Sequence, residues 1–129
     1  MAKYLILKKR RDFLKAAQDT TFTTHHVVIQ AAFCSAQKSN DLPRVGYTAT
    51  KKIGKAWYRN RTKRRLRAVV RELDQSKLLS GFDYVFIGRR DTGTCPYEKL
   101  KNGVIWALKN INPTLKDKLK NEEASDLAD

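Results

Sequence analysis

Residues 51–72 read KKIGKAWYRNRTKRRLRAVVRE, and the rest of the chain can be placed around them. The positive residues here are Lys51, Lys52, Lys55, Arg59, Arg61, Lys63, Arg64, Arg65, Arg67 and Arg71, and no acid occurs between Leu42 and Arg71. Charged groups are seldom buried without partners, so the run must face solvent or a partner rich in negative charge. At 3.6 residues per turn, a helix over 56–73 has two faces. Tyr58, Thr62, Leu66, Val69, Val70 and Leu73 form a stripe suited to packing on a sheet. Opposite lie Asn60, Arg64, Arg67 and Arg71, with Arg61 and Lys63 beside them. Arg59 and Arg65 fall at the stripe borders, where their stems can lie on the core, and Trp57 falls on the polar side. Like charges at i,i+3 and i,i+4 weaken a helix by a few tenths of a kcal/mol per pair, so stability alone does not account for the pattern. Asn60 adds a donor and an acceptor together, which a ribose hydroxyl or a base edge can use and a phosphate cannot.

The loop leading into this helix is Lys51-Lys52-Ile53-Gly54. Gly54 supplies backbone freedom, and Lys51, Lys52 and Lys55 add charge to the free amides of a helix N-terminus, which makes a phosphate cradle. It is not a nucleotide-binding P-loop, because GxxxxGK[ST] is absent. Before the loop, 44–50 reads as a strand with Val45, Tyr47 and Ala49 on one face and Arg44, Gly46, Thr48 and Thr50 on the other. After the helix, 82–88 reads as a strand that is apolar on both faces and therefore central in its sheet. Arg89-Arg90 closes it, as solvated end residues or as further phosphate contacts.

Further out, 7–17 has the spacing of a short helix, with Leu7, Phe13, Leu14 and Ala17 on one side. Phe13 suits either a core anchor or a stacking platform for an unpaired base. A strand is expected over 23–33, with His25, Val27, Ile29, Ala31 and Phe33 on one face and His26, Val28, Gln30 and Ala32 on the other. A polar turn is expected over 37–43. Pro96 suits a helix start, and Leu100, Val104, Ile105 and Leu108 mark the buried face of a helix over 97–110. Asn112-Pro113 is expected to end it, with a short helix over 114–120 and a frayed acidic tail over 121–129.

The chain has 129 residues, 27 Lys and Arg against 13 Asp and Glu, and a net charge of +14. This fits a single domain over 1–120 with a polyanionic partner, nucleic acid before an anionic membrane surface. The apolar residues Tyr4 to Leu7 are too few for a signal or membrane segment. Cys34 and Cys95 are too few for a disulfide framework or a zinc set and read as reduced thiols of a cytoplasmic protein. His25-His26 has no third ligand at metal spacing, so no metal site is expected on the protein. No catalytic Ser/His/Asp set and no paired carboxylates are visible.

The string RVGYTATKKIGKAWYRNRTKRRLR resembles the signature of the protein component of bacterial ribonuclease P, which carries RVG, a strand, KKxGxA and RNRxKRxxR. The match runs through Arg44-Val45-Gly46, Lys51 to Ala56 and Arg59 to Arg67 with spacing intact. It extends upstream to Leu7-Lys8 and Asp12-Phe13, and downstream to FDYVFIGRR and YEKLK. Trp57-Tyr58 departs from the small aliphatic pair usual before RNR, and Ala17 stands where an aromatic is common. The elements read along the chain give an α+β fold of order α-β-β-α-β-α, a two-layer sandwich with helices backing a sheet. The resemblance implies a left-handed crossover from strand 44–50 through the helix to strand 82–88, against the usual right-handed preference.

The resemblance further implies an endoribonuclease whose RNA subunit, with Mg2+ at its own active site, removes the 5′ leader of precursor tRNA. The protein would be a monomeric subunit with no catalytic residue, no cofactor of its own, no membrane and no small-molecule substrate. Lys51, Lys52, Lys55, Arg59, Asn60, Arg61, Lys63, Arg64, Arg67 and Arg71 would contact the ribonuclease P RNA. Phe13, His26, Val28, Gln30, Arg44, Arg89 and Arg90 would line the cleft for the leader. Two alternatives are a ribosomal-type or chaperone-like protein binding structured RNA, and a DNA-binding helix module, which would need base-reading residues and usually a dimer.

Overall fold

The structure is a computed structural model and describes residues 3–33 and 42–128; the turn expected over 37–43 and Cys34 fall largely or wholly outside them. Five strands form one sheet, in the order β1 (Leu5–Ile6), β4 (Arg44–Thr48), β5 (Phe82–Gly88), β3 (Val27–Phe33) and β2 (Thr20–Thr23). Among the described residues three α-helices accompany it: α1 (Arg10–Gln18), α2 (Ala56–Glu72) and α3 (Tyr97–Ala128). As its two apolar faces foretell, β5 is central, parallel to β4 and antiparallel to β3. The β4–α2–β5 unit is present, and the α+β architecture is the expected one.

The alternation along the strands divides the core in two. Val27, Ile29, Ala31, Val45, Tyr84 and Phe86 point to the side covered by α2 and α3, where α2 supplies Leu66, Val69, Val70 and Leu73. Ala32 and Val85 point to the other side, where Ala16 of α1 and Leu7 close a smaller cluster with Phe13 and Ile87 against it. Thr62 is fully buried on the packing stripe of α2, and its hydroxyl donates to the Tyr58 carbonyl at 2.9 Å. A Cβ on Gly88 would lie 2.3 Å from Thr62 Cγ2, so the bare backbone of β5 is what lets α2 approach. Gly88→Ala is expected to lower stability by about 1–3 kcal/mol in denaturant melts, the usual cost of overpacking; an unchanged midpoint would show that α2 has room to move.

Four features differ from the sequence reading. The strand expected over 23–33 is a hairpin, with β2 and β3 joined through 24–26. Thr24 makes that turn: its hydroxyl donates to the Val27 carbonyl at 2.9 Å and accepts from the Val27 amide at 3.2 Å. This removes His25 and His26 from the alternating pattern. A two-residue strand, β1, adds a parallel edge beside β4. The first helix starts at Arg10, leaving Leu7 outside it as a core residue.

The fourth difference is α3, which does not end at Asn112-Pro113 but continues to Ala128, including the backbone of the segment expected to fray. Its buried face is Leu100, Val104, Leu108, Ile111 and Leu115, one unbroken row of core residues that runs past the proline. Pro113 and Lys109 are both exposed, which puts the hydrogen bond that the proline cannot make on the side of the helix away from the core. Asn112 has a structural task instead of a breaking one. Its Oδ1 accepts from the buried Tyr84 hydroxyl at 2.7 Å, and its Nδ2 donates to the Lys77 carbonyl at 2.8 Å. Burial drives the Tyr84 hydroxyl well above the ordinary tyrosine range, so it stays a donor.

Candidate RNA interface

The 3-10 turn Lys51–Ile53 and Gly54 deliver the chain into α2. Gly54 has φ 154° and ψ −170°, a conformation essentially confined to glycine. The ring of Tyr58 lies over it, 3.0 Å from where a Cβ would stand, and over Gly93 at 2.8 Å, and the Tyr58 hydroxyl donates to the Arg90 carbonyl. The Trp57-Tyr58 departure is thereby explained for Tyr58, which ties the start of α2 to the loop after β5. Trp57 makes an edge contact with Tyr58 and is 68% exposed.

The basic residues of α2 divide into two groups. Asn60, Arg64, Arg67 and Arg71 are exposed along one face, with Lys63 half-buried beside them. Arg67 also sits over the Tyr47 ring at 5.5 Å, which fixes its stem while leaving the residue exposed. Lys51, Lys52 and Lys55 are exposed at the head of the helix. Arg61 is exposed too, but its Nε donates to the Gly93 carbonyl at 2.7 Å, and the half-buried Arg65 donates to the carbonyls of Thr92, at 2.6 Å, and Cys95. Arg59 is half-buried, with its Nε enclosed and lacking a hydrogen-bond partner among the described residues. Three of the arginines thus lean on the protein, and two of them hold the 92–95 loop.

The second surface is on the sheet face beside α1. Phe13 is half-buried over Gly46, where a Cβ would meet its ring at 2.6 Å. The glycine of RVG is therefore the seat of Phe13. Phe13, Leu14, Lys8, Arg10, Thr48 and Thr50 line an open groove of about 730 Å³. Thr50 also lines a neighbouring hollow of about 530 Å³ with His25, Lys52, Ile53, Arg89, Arg90 and Asp91. The two share Thr50 and lie side by side between α1 and the end of β5. Val28 and Gln30 are half-buried on this same sheet face, opposite Ile87 and Val85. Lys52 belongs both to the neighbouring hollow and to the head of α2, so it joins the two surfaces.

Some expected cleft residues have other partners. The Arg44 guanidinium grips Asp83 through two hydrogen bonds, Nε at 2.7 Å and Nη2 at 2.6 Å, and lies 3.5 Å from Asp12. It is engaged inside the protein rather than held open to a ligand, which differs from its expected place in the cleft. His26 lies in the hairpin turn with Nδ1 2.8 Å from Asp91 Oδ2. Arg89 is exposed and donates through Nη1 to the Thr24 carbonyl at 2.6 Å, while Arg90 is exposed with its side chain along the hollow. Lys8, Arg10, Leu14 and Thr50 were not anticipated. Lys8 was visible as part of the family signature upstream of Phe13, and Arg10 only as an unassigned charge.

A family model described as Ribonuclease P matches residues 1–112. This chain belongs to the ribonuclease P protein family. It is 40% identical over 107 residues to the ribonuclease P protein component of Paramagnetospirillum magneticum, covering 81% of this chain and 80% of that one. It is 44% identical over 108 residues to that of Caulobacter vibrioides, covering 82% and 70%. Among solved structures, the Thermotoga maritima RNase P protein superposes with a TM-score of 0.67 at 26% identity, over 81% of this chain and 94% of that one. The Staphylococcus aureus RNase P protein shares the fold with a TM-score of 0.69 at 24% identity, over 84% and 96%. None of the helices among the described residues is long and apolar enough to cross a membrane.

Proposed function

We propose that this ribonuclease P protein makes two RNA contacts from two surfaces joined at Lys52. The exposed row Asn60, Arg64, Arg67 and Arg71, with Lys51, Lys52 and Lys55, takes the catalytic RNA. The groove from Phe13 to Arg90 takes the single-stranded 5′ leader of precursor tRNA. The observation that carries this reading is the groove itself. It has an aromatic seated on glycine, the uncharged Thr48 and Thr50 along its length, and cations at both ends with Asp91 among those at the β5 end, a composition suited to holding a single strand by stacking and charge without choosing a sequence. In this reading hydrolysis belongs to the RNA subunit, with Mg2+ at the RNA active site and the protein contributing binding and positioning.

Reconstitution tests this directly. Added to bacterial ribonuclease P RNA at low Mg2+, the protein is expected to raise cleavage of precursor tRNA above that of RNA alone; no gain would defeat the assignment. Phe13→Ala is expected to cost about 1–3 kcal/mol of leader binding, the measured range for one base–aromatic stack. The loss should be confined to substrates whose 5′ leader is long enough to enter the groove. Equal weakening with a leaderless tRNA would remove Phe13 from the leader path.

A further inference from the structure

His25 and His26 lacked a third partner in the sequence, and the fold supplies one, Asp91, which is 65 residues from His26. Oδ2 of Asp91 lies 2.8 Å from His26 Nδ1 and 3.5 Å from His25 Nε2, and the three atoms all fall within 4.8 Å of one another. A tetrahedral ion with bonds of about 2.0–2.1 Å has ligand atoms about 3.3–3.4 Å apart. The two edges to Asp91 bracket that length and the third, between the two imidazole nitrogens, is at most 4.8 Å, so seating an ion requires the two rings to close together and the His26–Asp91 hydrogen bond to give way.

The backbone that carries these ligands is tied on both sides. The Thr92 hydroxyl donates to the His26 carbonyl and accepts from the Arg89 amide at 2.7 Å. Arg89 holds the Thr24 carbonyl, and the Asp91 carbonyl accepts from the Thr94 and Cys95 amides at 3.0 and 2.8 Å. The hairpin turn and the loop after β5 are therefore one unit. A site built across it needs side-chain adjustment and little backbone rearrangement, which is the condition for a preorganised ion site.

We propose that His25, His26 and Asp91 form a zinc-class metal site at the Arg90 end of the groove. Two imidazoles and one carboxylate suit Zn2+, whereas Mg2+ favours an all-oxygen shell. Three protein ligands leave one tetrahedral position, which water fills in the free protein. His25 and Asp91 line the same hollow as Lys52, Arg89 and Arg90, so that position opens towards the groove. Those three cations oppose a positive ion, which places the affinity below that of a structural zinc centre. The inference stands on these three side chains and does not depend on how the groove is used.

The test is titration of the full chain, without RNA, with Zn2+ by calorimetry and with Co2+ by visible absorption. About one ion per chain should bind at micromolar concentration, and millimolar Mg2+ should not displace it. Loss of a neighbour to a metal ligand commonly costs 10–100-fold in affinity, so loss of a ligand itself should cost at least about tenfold in His25→Ala and in Asp91→Asn. His25 is 84% exposed, and its removal should leave the metal-free melting curve unchanged, which separates ligand loss from misfolding. The proposal is overturned if no ion binds below millimolar concentration, if His25→Ala binds as tightly as the parent, or if Co2+ shows the charge-transfer band of a thiolate ligand.

Discussion

Arg44→Ala is expected to destabilise the protein by about 3–5 kcal/mol, because it leaves the Asp83 carboxylate buried without its partner. Asp83 is only 2% exposed, so the alanine variant leaves its carboxylate inside the protein with no guanidinium to compensate it. The pair spans the two central parallel strands at the Arg44–Asp83 register position. Asp12 adds a carboxylate from α1 at 3.5 Å, so the same arginine ties the small helix to the sheet. A loss of this size is a large part of the roughly 5–15 kcal/mol that holds a domain folded. Urea or guanidinium melts would measure it. Arg44→Lys keeps the charge but not the two-pronged geometry and should fall between the parent and alanine. If Arg44→Ala melts like the parent, the pair contributes nothing to the fold and Arg44 is available to a ligand after all.

The second large effect concerns binding. Arg64, Arg67 and Arg71 form the exposed basic row of α2, and replacing all three with alanine should remove three phosphate contacts with the catalytic RNA. Each contact carries a salt slope of about 0.7–0.9, so the dependence of log affinity on log salt should flatten by about 2–3. Stability should fall by no more than about 0.5–1 kcal/mol, from loss of the Arg67–Tyr47 contact, since all three side chains lie outside the core. Arg65→Ala is the contrasting variant. It deletes charge-assisted bonds to two carbonyls of the 92–95 loop, and bonds of this kind are worth about 1.5–3 kcal/mol each. Stability should fall while the salt slope stays close to the parent's. Filter binding across a salt series, paired with melts, distinguishes the two classes. A triple variant with an unchanged slope would show that this face does not meet phosphate.

The contrast between Arg64 and Arg65 also marks how far the sequence could be read. Helical spacing placed Thr62, Leu66, Val69, Val70 and Leu73 on the buried side, and all five are buried. It placed Arg64, Arg67 and Arg71 outside, and they are exposed. The two-sided apolar pattern of 82–88 was enough to make that strand central. These are local patterns, and burial on one face writes them directly into the chain. Spacing could not say that Arg61 and Arg65 end on carbonyls 27 to 32 positions away, because hydrogen bonds to backbone leave no side-chain signature.

The hairpin at 24–26 was hidden for a related reason. Thr24-His25-His26 contains no glycine, proline or asparagine, and threonine is an ordinary strand residue, so the run reads straight through. Pro113 misled in the opposite direction. A proline argues for a stop, yet the buried positions Leu108, Ile111 and Leu115 keep their helical interval across it, and burial outweighs one missing hydrogen bond on the wet side. Arg44 and Asp83, like His26 and Asp91, are meetings between distant segments. Only the assembled sheet brings them together.

The two loop-holding arginines have a consequence for anyone who would transplant this helix. A peptide copy of residues 56–72 would present every guanidinium to solvent, including those of Arg61 and Arg65. In the folded protein these two already have carbonyl partners. The isolated copy would therefore be a stickier and less selective ligand for any polyanion, although its sequence is unchanged. The surrounding domain works as a filter on the helix: it occupies some of the guanidinium donors and leaves the others in a fixed spatial pattern. Selectivity in such a basic element is a property of the scaffold, and a graft would have to carry the 89–95 loop with it to keep that property.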